Sequence, residues 1–432
     1  MKRGLFFFLF TFSLRLLAQN TNLLEQRLFD LPDVSFKKID APAGFESAYQ
    51  LKIRQPIDHK HPEKGYFYQK AFLSHKGIDR PMLLGTEGYA CPENRYYREL
   101  DTLLSANQIV VEYRYFGESQ PQPYNFEYCT VEQASNDYHH IREIFGKLYN
   151  QKWVSTGVSR GGQTAIFYRY FFPDDVAVSV PYVAPMILEL EDKRIYRFLD
   201  TVGTPECRSK IKAFQIRLLK ERERVLPMLY WYAKGAKLDF TYLNLGEAFE
   251  YAILEYPFSF WQVTEQDCAK IPDQSIPLDS AVAYLIDLGF GVDYFSDKEI
   301  KSYAPHMYTA GMEIGYYGYQ TEDFKGLLKS LPMLPHPSAI YMPDKMATKF
   351  DPTLTQNVSN WLKTNGNRFV YIYGSTDTWT AAGVPYSDGV DALWFILQGK
   401  NHYDARIRNF NSSEKQKLES ALERWLDIKI KH

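Results

Sequence analysis

The chain has 432 residues, 45% of them hydrophobic, and a formal net charge of −2. That much apolar sequence supports a large core, more than one usual domain, while the near-neutral balance and the lack of a long basic run exclude a nucleic-acid footprint. Its 33 Tyr, 29 Phe and 7 Trp supply rings for a core or a pocket wall.

At the N-terminus, Lys2 and Arg3 precede a short apolar run from Leu5 to Leu17, interrupted by Arg15, with Ala18 before a cleavage point. Residues 1–18 therefore have the pattern of a secretory signal, too short for a membrane span; an uncleaved anchor or a buried segment is the other reading. The mature chain is expected to start near Gln19, exported to a periplasm or beyond, with no membrane association once the signal is removed. Export permits disulfides. The spacing of the four cysteines favours Cys91 with Cys129 and Cys207 with Cys268, with four free buried thiols as the other reading. No CxxC or zinc spacing occurs, so no metal is expected.

Residues 49–77 alternate on both sides of a Pro/His/Gly-rich turn and predict a β-hairpin. His59 and His61 sit in that turn and read as exposed turn residues rather than metal ligands. PMLLGT (81–86) and QIVVEY (108–113) suit buried parallel strands. Residues 129–150 have helical spacing, with Thr130 as N-cap and Gln133 three residues later, as in a capping box. KWVSTG (152–157) predicts a strand, 160–173 a helix stopped by Pro173, and 176–185 another strand. Such alternation implies a parallel α/β sheet.

From about 188 to 345 the pattern becomes helical and aromatic, which reads as an inserted helical cap. The α/β pattern resumes with a helix after Pro352, strands at 368–374 and 392–398, and an amphipathic helix at 412–430. The expected organisation is a first core segment at 19–187, the cap at 188–345 and a second core segment at 346–432.

Within GVSRGG, Gly157, Ser159 and Gly161 form GxSxG between a strand and a helix. A nucleophilic serine on a sharp strand-to-helix turn needs small neighbours, and the helix N-terminus behind it offers N–H groups and a positive dipole end. The other reading is a turn that only packs. In this arrangement the acid and the base follow the serine, in the order Ser, Asp or Glu, His. Asp377 falls just past the strand at 368–374, and His402 just past the strand at 392–398. Asp388, Asp391 and Asp404 are rivals for the acid, and His306 and His336 for the base. The N–H of Arg160 is one expected oxyanion donor. The second comes from the loop after the first core strand, at Gly88 or Tyr89. Glu87 in that loop is either structural or a ligand for a substrate amine.

Read together, QPIDHKHP, GTEGY, VVEYRYFGESQP, CTVEQASNDY, GVSRGG, YTAGMEIGYYGYQT, YGSTDTW and GKNHYDARI occur in order over roughly residues 50–408. This ordered set resembles the secreted tripeptidyl-aminopeptidase family of serine exopeptidases, with motifs shared by the related Pro-X carboxypeptidase and dipeptidyl-peptidase II family. The resemblance implies an α/β-hydrolase core under a helical cap and a triad of Ser159, Asp377 and His402. It also implies exopeptidase action on peptides, often after proline, with no cofactor. It brings in Glu313, within MEIGYYGYQT, as a carboxylate that binds a charged peptide N-terminus or else pairs structurally. Met312 and Ile314 stand where the sister family has Thr and Phe, and Arg160 stands where that family tends to carry a bulky apolar residue or tyrosine. A different serine hydrolase such as an esterase, or a non-catalytic binding protein, remains the alternative.

Overall fold

The computed structural model describes residues 23–91, 99–263, 266–288, 291–331 and 341–430. The signal-sequence expectation and His336 lie outside the described residues.

Among the described residues, nine strands, numbered in chain order, form one sheet in the order β1-β2-β3-β5-β4-β6-β7-β8-β9. The hairpin of β2 (Ser47–Pro56) and β3 (Tyr66–His75) forms at the expected place, with β1 (Val34–Ile39) antiparallel to β2. β3 also runs antiparallel to β5 (Asn107–Val111). From there the sheet is parallel through β4 (Met82–Thr86), β6 (Trp153–Val158), β7 (Val178–Tyr182), β8 (Val370–Gly374) and β9 (Leu393–Leu397). β4, β5, β7 and β8 are buried at every residue, as continuous apolar strands covered on both faces must be.

One face carries α1 (Val131–Gly146), whose Tyr138, Ile141 and Phe145 pack with Leu84, Ile109 and Val111 of the sheet. α2 (Arg160–Phe171) lies beside α1, against β6 and β7. A C-terminal helix (Ser412–Leu426) brings Leu418, Leu422 and Trp425 against Val154, Val180 and Ile372 in a separate cluster. Thr130 caps α1 by accepting from the N–H of Gln133, but the Gln133 side chain reaches Asp58 and the N–H of His59 instead of turning back. The capping box is therefore half formed, because the hairpin turn competes for its second member. The same packing corrects the reading of His59: its ring lies 2.8 Å from the fully buried Asp137 and is 12% exposed, whereas His61 is 58% exposed.

After β7 the chain leaves the sheet and rejoins it at β8. The described residues between them are mainly helical. They include α3 (Pro205–Lys220), α4 (Arg222–Ala236), α5 (Leu245–Val263), α6 (Leu278–Asp287) and α7 (Asp297–Thr309). α5 is buried along nearly its whole length, with α3 and α4 packed on it. The Cys207–Cys268 disulfide ties the first turn of α3 to the chain beyond α5. The expected Cys91–Cys129 bond is absent, and both are buried thiols. They are held in different surroundings. Cys91 packs with Phe72 and Val110, its N–H on the Glu112 carboxylate, while the Cys129 thiol points at the Pro305 carbonyl of α7. No described helix is long and apolar enough to cross a membrane.

Candidate active site

β6 runs directly into Ser159, and α2 starts at Arg160. Ser159 has φ 57° and ψ −123°, a conformation that costs a non-glycine residue energy and persists only where its surroundings enforce it. The neighbours enforce it here. A Cβ on Gly157 would fall 2.2 Å from the Gly161 carbonyl oxygen and 2.6 Å from that of Thr86; one on Gly161 would fall 2.5 Å from the latter. The Thr86 hydroxyl lies 3.0 Å from the Thr156 carbonyl and 2.8 Å from that of Gly161, fastening the end of β4 to the turn. The Ser159 N–H donates to the Tyr182 carbonyl at 2.8 Å. The tight turn beside β4, β6 and β7 places Ser159 on the wall of a cavity.

The loop after β4 folds over this turn. A Cβ on Gly88 would stand 2.6 Å from Cβ of Arg160, so only glycine fits there. Among the described residues, the N–H groups of Gly88, Tyr89 and Arg160 donate to no backbone carbonyl. Donors without a backbone acceptor, one at the start of α2 and the others in the loop beside it, are what a developing oxyanion requires. The Arg160 guanidinium turns away from the helix. It donates to the Gly88 carbonyl at 2.6 Å and to the Thr309 hydroxyl at 3.1 Å, and it sits 4.6–5.4 Å from the rings of Tyr113, Tyr89 and Phe116. Its charge is thus absorbed in pinning the loop to α2 and α7.

Asp377 follows β8, and His402 follows β9. The His402 Nδ1 is 2.8 Å from Asp377 Oδ2; Asp377 is fully buried and His402 is 6% exposed. The second carboxylate oxygen of Asp377 accepts from the N–H of Trp379 at 3.1 Å. Two bonds on two oxygens fix the carboxylate, and the carboxylate fixes the ring. α5 holds both loops from above: the Phe258 carbonyl accepts from the Thr378 hydroxyl at 3.1 Å and the Gln262 carbonyl from the His402 N–H at 3.0 Å. Ser159 and His402 face one cavity of about 200 Å³, without a hydrogen bond between them. The rivals lie elsewhere or lack a partner. Asp388, Asp391 and Asp404 are exposed. His306 lines the cavity, but its Nδ1 has no hydrogen-bond partner, and burial with Arg160 nearby holds the ring neutral.

The structure does not bring Glu87 or Glu313 to this cavity wall. The main chain of Glu87 is tied into the fold, its N–H donating to the Val111 carbonyl and its carbonyl accepting from Tyr138. The carboxylate of Glu313 accepts from the N–H of Val131 at 2.9 Å, at the N-terminus of α1. Burial pushes the Glu313 carboxyl up to about 7 against that bond. This is a carboxylate stabilising a helix start. Arg114 is equally architectural: fully buried, it clamps Asp137 with two bonds of 2.7 and 2.8 Å and donates to the carbonyls of Pro56, Ile57 and Tyr128.

A different carboxylate lines the cavity. Glu255 of α5 is 1% exposed, and its oxygens accept from the hydroxyls of Ser259, Tyr317 and Tyr319 at 2.8–3.1 Å. Burial pushes its carboxyl up to about 7 despite those bonds. Glu255, Ser259 and Gln262 share one face of α5 at spacings of four and three, a weak signal in a helix that also carries Glu247 and Glu250. The tyrosines arrive from the segment after α7, where a π-helical turn at Ala310–Ile314 ends at Gly315 with φ 69°. A Cβ there would stand 2.2 Å from the Glu189 carbonyl. Tyr317 stacks on Phe258 with ring centroids 4.0 Å apart and on Tyr316 at 4.4 Å, and Trp379 meets Tyr317 at 5.4 Å. Among the described residues no group of three or more His, Cys, Asp or Glu is placed to hold a metal ion.

Comparison with known proteins gives this geometry a family. Residues 19–429 match the family described as PS-10 peptidase S37. A prolyl tri/tetrapeptidyl aminopeptidase of Streptomyces mobaraensis is 29% identical over 413 residues, covering 94% of this chain and 85% of that one. The serine protease vicPb of Bipolaris victoriae is 28% identical over 186 residues, covering 37% of this chain and 35% of that one. Among solved structures, the proline iminopeptidase of Mycobacterium smegmatis superposes with a TM-score of 0.39 at 11% identity, covering 87% of this chain and 97% of that one. That last likeness is too low to argue from; the strand order and the turn at Ser159 already describe an α/β-hydrolase sheet. The chain belongs to the PS-10 peptidase S37 family and is a serine peptidase.

Proposed function

We propose that the protein is an exported aminopeptidase that removes short peptides, tripeptides first among them, from free N-termini by cutting after proline. Ser159 attacks the scissile carbonyl while Nε2 of His402 takes its proton, and Asp377 holds Nδ1 of His402 so that Nε2 is the nitrogen left to act. The oxyanion is received by the N–H of Arg160 and by that of Gly88 or Tyr89. His402 then protonates the leaving amine, and water hydrolyses the acyl-enzyme by the same route in reverse. The observation that carries this reading is the strained Ser159 sharing a cavity with a His402–Asp377 pair held at 2.8 Å.

Four features support the finer parts. The Streptomyces relative carries a prolyl tri/tetrapeptidyl aminopeptidase name over nearly the same length. Tyr316, Tyr317 and Trp379 line the cavity, and flat aromatic faces suit the apolar ring of proline. The residues between β7 and β8 act as a cap: Glu255, Gln262, Tyr303 and Tyr316 wall the cavity above Ser159, which favours chain ends over folded chains. The signal-like N-terminus and the Cys207–Cys268 disulfide fit an oxidising compartment.

The test is a matched panel of X-Pro-Y and X-Y-Pro-Z peptides, with free and acetylated N-termini, cleaved by purified protein and read by mass spectrometry beside Ser159→Ala. Release of an N-terminal tripeptide ending in proline, lost on acetylation and lost in the variant, is expected. Equal cleavage of both forms contradicts the aminopeptidase reading. Hydrolysis of nitrophenyl esters with no peptide cleaved would mark an esterase.

A further inference from the structure

Several other buried carboxylates have a charged partner, and Glu313, which does not line this cavity, has the N–H of Val131. Asp137 has Arg114, Glu112 has Lys70, Asp377 has His402, and Glu250 has Arg222 with the N–H groups of residues 329–331. Glu255 has hydroxyls alone, and no cation among the described residues lies near enough to act on its charge. A buried carboxylate without a cation is expensive, and hydroxyls offset only part of that cost. The cation of the same cavity, Arg160, is spent on the Gly88 carbonyl, the Thr309 hydroxyl and three rings.

We infer that Glu255 is the anchor for the α-ammonium group of the peptide substrate, with the hydroxyls of Ser259, Tyr317 and Tyr319 completing its shell. This rests on the aminopeptidase reading and assigns to Glu255 the amine recognition that the sequence suggested for Glu87 or Glu313. An α-ammonium brings three N–H donors and a full charge. The carboxylate has a lone-pair site left beyond its three hydroxyl donors, and a hydroxyl that turns its proton outward accepts in its own right. Location favours the role. Glu255 and the Gln262 carbonyl that holds the His402 N–H belong to one helix, α5, and the Phe258 carbonyl between them holds Thr378 beside Asp377. Anchor and catalytic loops are thus joined through one rigid element, and their fixed separation selects which peptide bond is presented to Ser159. A free N-terminus is then a measuring point, and the number of residues released is set by the span from Glu255 to Ser159.

The experiment measures kcat/KM for one peptide in three forms, with a free amine, acetylated, and with the amine replaced by hydrogen, on wild type and on Glu255→Gln. Wild type is expected to favour the free amine, and Glu255→Gln to reduce that preference about 30-fold or more, mainly through KM. The amide of Gln keeps the shape and still meets the hydroxyls. Tyr319→Phe and Ser259→Ala, each removing one hydroxyl, are expected to lower the preference several-fold and serve if Glu255→Gln does not fold. A wild type indifferent to the amine would remove the aminopeptidase reading itself. A wild type that discriminates, beside variants that discriminate equally well, would overturn the assignment of Glu255 and leave the reading standing.

Discussion

The edge of the sheet and the helical segment above it build one cavity by different means. At the sheet edge, Ser159, Asp377 and His402 each follow a strand end, so their positions are set by backbone that the ladder already holds. In the helical segment, Glu255, Tyr316, Tyr317 and Tyr319 are placed by side-chain packing and a π-helical turn. Residues set by the ladder should fail chemically when changed and leave the fold intact. Residues set by packing should alter what is bound, or the stability of their own region.

The sharpest separation is expected from Asp377→Asn. The amide keeps its shape but offers Nδ1 of His402 the wrong hydrogen-bonding partner, so kcat should fall roughly 10⁴-fold with little change in thermal midpoint. Steady-state kinetics beside a melting curve checks both halves. Gly88→Ala should come next. Its new Cβ meets the Arg160 side chain and backbone at 2.6–2.9 Å, so the loop must retreat from α2. A displaced oxyanion donor costs about 10²- to 10³-fold in kcat; a normal kcat would place the second donor outside this loop.

The effect of pH on amine preference is smaller. Burial holds the free-enzyme carboxyl of Glu255 near 7, and ionisation is needed to pair an ammonium. The ratio of kcat/KM for free over acetylated peptide should therefore fall as pH drops through about 7. It should fall again as the peptide amine itself loses its proton, near pH ~8. His306 stays neutral throughout, Tyr317 and Tyr319 titrate far higher, and Glu313, also pushed up to about 7, does not line the cavity. A flat ratio from pH 5.5 to 8.5 would break the link to Glu255.

The smallest effect on turnover is expected from replacing Cys207 and Cys268 together by serine. The bond closes a loop with a sequence separation of 61 residues inside the helical segment. Its loss should cost about 2–4 kcal/mol of stability. Hydrogen exchange should rise in α3 and at the end of α5 while the sheet stays protected.

This contrast also explains what was legible in the sequence. Short apolar runs ending in glycine located β4, β6 and β8, and the GxSxG and strand-end positions then located Ser159, Asp377 and His402 without any knowledge of packing. Arg160, and Gly88 or Tyr89, became candidate oxyanion donors by the same rule. Glu255 did not emerge, because the polar face it shares with Ser259 and Gln262 in a largely buried helix has no evident purpose until Tyr317 and Tyr319 arrive from more than sixty residues away. For Glu313 the sequence left an amine ligand and a structural partner open; the motif's Tyr316 and Tyr317 line the cavity while its carboxylate accepts from the N–H at the start of α1. The pairing of Cys91 with Cys129 failed because spacing along the chain says nothing about which wall of the core each thiol enters.

The most direct measurement is the site of covalent modification by a peptidyl phosphonate carrying proline next to phosphorus, mapped by mass spectrometry after proteolysis. One adduct per chain is expected, on the peptide containing Ser159, formed with loss of activity and strongly slowed in His402→Ala. An enzyme inactivated with its adduct elsewhere, or modified at Ser159 while still cleaving peptides, would contradict the assignment of Ser159 as the nucleophile.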